Sequence, residues 1–175
     1  AQTVFVHSFT NVDYVFGKVL GVATVFGFLE LTVLTVAAVL HQFFAPVPLV
    51  WQPYVMAVLV AVIPPLIFTT GLAVLLVTLL RSQAVVFVAI VAIGVLSVTV
   101  VGFRYFFFLD VFAFHIPMMW SDFVGVGNEN QLLLVRGTHL LFGLACIAVT
   151  PLLSRRLPQS RLASSVAVVV ALACV

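Results

Sequence analysis

The sequence predicts an all-α membrane protein, a polytopic helical bundle with about five transmembrane helices. Three observations carry that expectation. Hydrophobic residues make up 65% of the 175-residue chain and charged residues only 7%, whereas a soluble domain carries about 25% charged and about 45–50% apolar residues. The mean hydropathy is +1.36, more apolar surface than a soluble fold of this length can bury. The apolar residues also fall in long stretches, each near the roughly 20 residues that a helix needs to cross a bilayer. The bundle is expected to carry an N-terminal cytoplasmic elbow and a re-entrant segment on its outer face.

Residues 1–16 read as the interfacial elbow, and residues 17–175 as the transmembrane domain. Thr10-Asn11-Val12-Asp13 has the form of a helix start, with Thr10 as cap and Asp13 three positions on. The first visible span covers 17–41. Pro46, Pro48 and Pro53 then punctuate a loop, with Trp51 and Tyr54 at the membrane–water boundary where such rings collect. The second span covers 54–80, and Pro64-Pro65 near its middle should kink or break the helix. Arg81-Ser82-Gln83 is a tight polar turn before a third span at 84–102. That span is rich in Val and Ile, but its uninterrupted length decides for helix.

Residues 103–130 mix Arg104, Asp110, His115, Asp122 and Glu129 with aromatic runs. They are too polar to span and too apolar to lie free in water, so a pair of short outer-face helices is expected. A fourth span covers 131–153, a basic loop 154–161, and a fifth span, 162–175, stops inside an apolar run. The chain starts at Ala1, and we expect it to be a piece of a longer protein. If the spans alternate, Lys18, Arg81, Arg155, Arg156 and Arg161 lie on one side and only Arg104 and Arg136 toward the other. The excess of positive charge assigns the first group to the cytoplasm of a multi-pass plasma-membrane protein.

A net charge of +2 gives no reason to expect a nucleic-acid partner. Cys146 and Cys174 sit in apolar runs without metal-ligand spacing and read as buried thiols. Glu30 stands out near the centre of the first span, where a charge costs about 2.5–3.5 kcal/mol and surrounding apolar residues return roughly 0.3–0.6 kcal/mol each. It is either a polar group on a translocation path or the acceptor of an interhelical hydrogen bond. Pro64, Pro65 and Gly71 form either a hinge or a packing kink. Arg136 can snorkel outward or pair with Asp122 or Glu129.

His41, His115 and His139 fall toward the outer side but match no zinc spacing. Paired histidines at one depth would instead suit haem, which makes a membrane anchor or haem-carrying subunit of a redox complex the alternative function. There is no phosphate loop, no HExxH and no GxSxG element. No metal, cofactor or enzymatic activity is therefore expected of the chain itself.

Three segments together resemble a known family. They are Phe9-Thr10-Asn11-Val12-Asp13-Tyr14-Val15-Phe16-Gly17-Lys18-Val19-Leu20-Gly21, then Ile63-Pro64-Pro65-Leu66-Ile67-Phe68-Thr69-Thr70-Gly71 running on to Arg81-Ser82-Gln83, and Pro117-Met118-Met119-Trp120-Ser121-Asp122-Phe123-Val124-Gly125 followed by Arg136-Gly137 and Arg156-Leu157-Pro158-Gln159-Ser160. In order and spacing they are similar to the permease subunit of ABC-2 type transporters, in its large bacterial branch. The resemblance implies a homo- or heterodimer of permeases in the lipid bilayer, with ATP hydrolysed by a separate ATP-binding cassette subunit. It implies that Thr10, Asn11, Asp13 and Tyr14 contact that subunit, that a further span lies upstream, and that residues around Asp110, His115 and Asp122 form the outer segment. The chain departs from the family where the elbow commonly carries an arginine and a proline: here those places read Ser8-Phe9-Thr10.

Overall fold

The computed structural model describes residues 10–46, 48–101, 110–111, 119–121, 125–154 and 161–174, and they are mostly helical. Helix α1 runs from Asn11 to Phe44 over 34 residues, roughly 50 Å at the helical rise and longer than a hydrocarbon core of about 30 Å. Its start is the expected capping box. The Asp13 amide donates to the Thr10 hydroxyl (3.3 Å), and the Thr10 amide donates back to the Asp13 carboxylate (3.0 Å). Residues 11–16, assigned from sequence to the elbow, continue without a break into the span. Residues 1–9 lie outside the described residues.

The second span is one apolar helical run in three parts. Helix α2 covers Gln52–Met56, a π-helical stretch covers Ala57–Val62, and helix α3 covers Ile63–Leu80. Pro64 and Pro65 sit in the first turn of α3, and their chemistry accounts for the irregular stretch. Each lacks an N–H, and its ring pushes on the carbonyl of the previous turn. Widening that turn relieves both problems. The Ile63 amide accordingly donates to Val58 O, five residues back. The kink expected at this pair thus takes the form of a wide turn ahead of it.

Helix α3 closes on Arg81, whose backbone is left-handed (φ 56°, ψ 12°) and whose amide donates to Val77 O at 3.0 Å. Helix α4 follows at Gln83–Leu96 and passes into a second π-helical stretch at Ser97–Val101. After α4, two-residue strands β1 (Trp120–Ser121) and β2 (Gly125–Val126) pair antiparallel, with Trp120 opposite Val126 and Ser121 opposite Gly125. Short helices were expected over 103–130. Residues 103–109, 112–118 and 122–124 of that stretch lie outside the described residues; in its described part, Gly125 takes a φ of 73° that favours glycine. The Gly127 amide extends the ladder by donating to Met119 O at 2.9 Å. Helix α5 spans Glu129–Leu153 with Pro151 inside it, and helix α6 spans Arg161–Ala173.

Among the described residues, three helical runs are long and apolar enough to cross a membrane: Asn11–Phe44, Gln52–Leu80 and Glu129–Leu153. They differ in how much protein covers them. Half of the most apolar window of α5 is buried, 22% of that of the second run, and none of that of α1. The core of the bundle is therefore α5 against α3, with α1 on the outside. Phe16, Val25, Phe28 and Leu31 on α1 are all more than half exposed. Water would penalise such a surface heavily, whereas lipid chains do not.

The α3–α5 contact is set by two glycines. A Cβ on Gly143 would lie 2.7 Å from Ile67 C, Ile67 O and Phe68 Cα, and a Cβ on Gly71 would collide with Gly143 O. Backbone touches backbone there. In lipid no hydrophobic force drives helices together, so small residues that permit close van der Waals approach supply much of the adhesion.

Candidate functional site

Four groups of polar residues interrupt the apolar bundle. The first joins α1 to the end of α5. Asn11 is 2% exposed, and its side-chain amide donates to Ser154 O across the two helix ends. Of the residues that the family resemblance pointed to as subunit contacts, Asn11 is thus turned into the chain. Asp13 and Tyr14 are exposed and Thr10 is half-buried. Lys18 Nζ sits 4.6 Å from the centre of the Tyr14 ring, within cation–π range. Lys18, Arg81 and Ser154 line one cavity. The α1 start, the end of α3 at Arg81 and Ser154 after α5 therefore lie at the same end of the bundle. Residues 155–160 lie outside the described residues.

The second is Glu30, the twentieth of the 34 residues of α1. It is half-buried and makes no hydrogen bond or ion pair among the described residues. Its polar neighbours on the helix are already occupied. Thr24, Thr32 and Thr35 each donate their hydroxyl to a carbonyl one turn back, at 2.7–2.8 Å. A hydroxyl has one proton to give, so none of these serves the carboxyl group.

The third is the α3–α5 crossing. Pro64, Pro65, Thr70 and Gly71 are all buried in α3, and Gly71 meets Gly143 of α5. Gly71, a candidate hinge residue, is a packing contact here. The irregular backbone lies instead in the turns before the two prolines. Thr70 donates to Leu66 O at 2.6 Å, and Thr150 to Cys146 O at 2.7 Å. The hydroxyls are thereby absorbed into their own helices, leaving an apolar contact surface. The buried His139 meets Phe68 edge-on, with ring centres 5.4 Å apart.

The fourth was missed as a unit from sequence. Arg136 does not snorkel outward. It is 2% exposed, and its Nη1 donates to Val111 O. The acid that acts on it electrostatically is Asp110, itself fully buried. Glu129 is exposed at the start of α5 and Asp122 lies outside the described residues. The reason is depth: Arg136 is two turns into α5, and the chain at 110–111 covers that face before the side chain can reach water. A basic residue inside an apolar run was the available signal; its acidic counterpart, 26 positions upstream, had no mark of its own.

Two of the histidines are held by different aromatic rings: His41 meets Tyr54 edge-on at 6.3 Å, and His139 meets Phe68. His115 lies outside the described residues. Among the described residues no group of His, Cys, Asp and Glu is arranged to hold a metal ion. No family model, curated protein or solved structure matches the chain.

Proposed function

We propose that the chain is the permease subunit of an ATP-binding cassette transporter of the ABC-2 type, multi-pass in the cell membrane, exporting its substrate by alternating access. The reading rests on the order and spacing of the three sequence segments. It is supported above all by the meeting of Lys18, Arg81 and Ser154 at one end of the bundle. In this reading that end faces the cytosol and receives the ATP-binding subunit on the exposed Asp13 and Tyr14. Closure of the nucleotide-binding subunits pushes on α1 and the 81–83 turn. The wide π-helical turn at 57–62 gives the second span a place to flex, while the glycine contact holds α3 to α5. Glu30 faces a partner helix, either the second permease of a dimer or the substrate path between them.

Crosslinking in membranes that contain the full protein and an ATP-binding subunit tests this. Photoreactive groups at Asp13 and Tyr14 should trap that subunit, and groups at 43–52 should not; the opposite pattern refutes the orientation. Glu30→Gln should insert normally but change ATP-driven transport in reconstituted vesicles. Unaltered transport would reduce Glu30 to a packing residue.

A further inference from the structure

The cavity at the Lys18 end has a composition of its own. It holds about 440 Å³ and is walled by Tyr14 and Lys18 of α1, Thr78 and Arg81 at the end of α3, and Ser154 after α5. Among the described residues, two cations from distant parts of the chain face it and no acidic residue lines it. Neither cation makes an ion pair among the described residues. Arg81 is delivered to this place by a left-handed backbone (φ 56°), which is uncommon for a residue with a side chain. The walls on the membrane side, Val77 and Leu153, are apolar.

The seam between α1 and α3 runs on inward from the cavity. Tyr14, Lys18, Val22 and Phe26 are spaced four apart, so they form one stripe on α1. Thr69, Ala73 and Val77 form the facing stripe on α3. Val22, Phe26, Leu66, Thr69, Ala73 and Ile90 enclose a second, apolar groove of about 380 Å³. The Thr69 hydroxyl is spent on Pro65 O at 2.8 Å, so that wall adds little polarity. A doubly cationic pocket at the bundle's end and an apolar groove thus lie in line along the same two helices, Phe26 standing about 12 Å of helix rise beyond Lys18.

We propose that this is a phospholipid site: the phosphate of an anionic lipid sits between Lys18 and Arg81, and one acyl chain lies in the α1–α3 groove. Basic pockets between spanning helices recognise anionic head groups, and here charge and shape agree along one line. A free phosphate ion would use the same cations but would leave the groove without an occupant.

Native mass spectrometry of the purified full chain tests the site, after delipidation and titration with phosphatidylglycerol or with phosphatidylcholine of the same acyl chains. Phosphatidylglycerol should bind more tightly. Lys18→Gln or Arg81→Gln should each weaken it roughly fivefold, and the double variant about thirtyfold. His41→Gln, at the far end of α1, should leave binding unchanged. Ala73→Phe fills the groove; it should lose the lipid yet keep the response of the melting temperature to inorganic phosphate. This variant also serves if the doubly neutralised chain fails to fold. Equal binding of the two lipids, or wild-type phosphatidylglycerol binding in Ala73→Phe or in the double variant, overturns the proposal. So does displacement of the lipid by an acidic segment of a cytosolic partner at stoichiometric concentration.

Discussion

Gly143→Ala places a methyl group where the α3 backbone already is. Its carbon would stand 2.7 Å from Ile67 C, Ile67 O and Phe68 Cα, while ordinary contact begins at 3.4 Å. No flexible side chain can yield, because all three atoms are backbone. The helices must separate by about 0.7 Å at the crossing, or one must rotate and break the Phe68–His139 edge contact. Overpacking of this kind costs about 1–3 kcal/mol. Gly17→Ala on α1 meets nothing within 4 Å and supplies the control. It removes only the conformational freedom of glycine and should be neutral or stabilising by up to about 1 kcal/mol. The assay is equilibrium unfolding in mixed micelles, with denaturing detergent titrated against helix content. Gly143→Ala should unfold at a lower detergent fraction and Gly17→Ala should not. Gly71→Ala should resemble Gly143→Ala, and the double variant should cost less than the two separate losses combined, since one separation accommodates both methyls. Equal behaviour of Gly143→Ala and Gly17→Ala would refute the claim that backbone contact holds α3 to α5.

Thr10→Ala removes the cap of α1 and should cost about 0.5–2 kcal/mol, with faster amide exchange confined to the first turn of that helix. Asn11→Ala loses the bond to Ser154 O and should cost about 0.5–1.5 kcal/mol; Asn11→Asp should cost more in the same unfolding titration, because a carboxylate would then face a carbonyl oxygen. Arg136→Met leaves the buried Asp110 without its cation and should cost about 3–5 kcal/mol. Adding Asp110→Asn should recover part of that loss, and a double-mutant cycle with no coupling would show that the two do not act together.

The helical runs were legible because their signal is length, and a bilayer leaves helices as the answer to a long apolar stretch outside a closed barrel. The α1 cap was legible because a capping box is local, decided within four residues. Pro64-Pro65 announced a disturbance, but not that the wide turn would lie ahead of the pair. The pairing of α3 with α5 was not legible. Glycines 71 and 143 look like any others in an apolar run, and only their meeting gives them a role. Arg136 shows the same limit. Its neighbours in sequence, Glu129 and Asp122, were the obvious acids, yet Arg136 is covered by the distant residues 110–111. Asn11 was readable as a helix-start residue and unreadable as a tie to Ser154, because nothing near it refers to a position 143 residues away. The pairing of Trp120–Ser121 with Gly125–Val126 escaped because strands of two residues leave no periodicity to find.

The sealing of Asp110 and Arg136 restricts how this protein can move. Prising the 110–111 stretch away from α5 would strand an ionised group in oil, a state reached only if water follows it in. Separating residues 110–111 from α5 thus carries the cost of an uncompensated buried guanidinium, a toll that the apolar contacts elsewhere in the bundle do not impose.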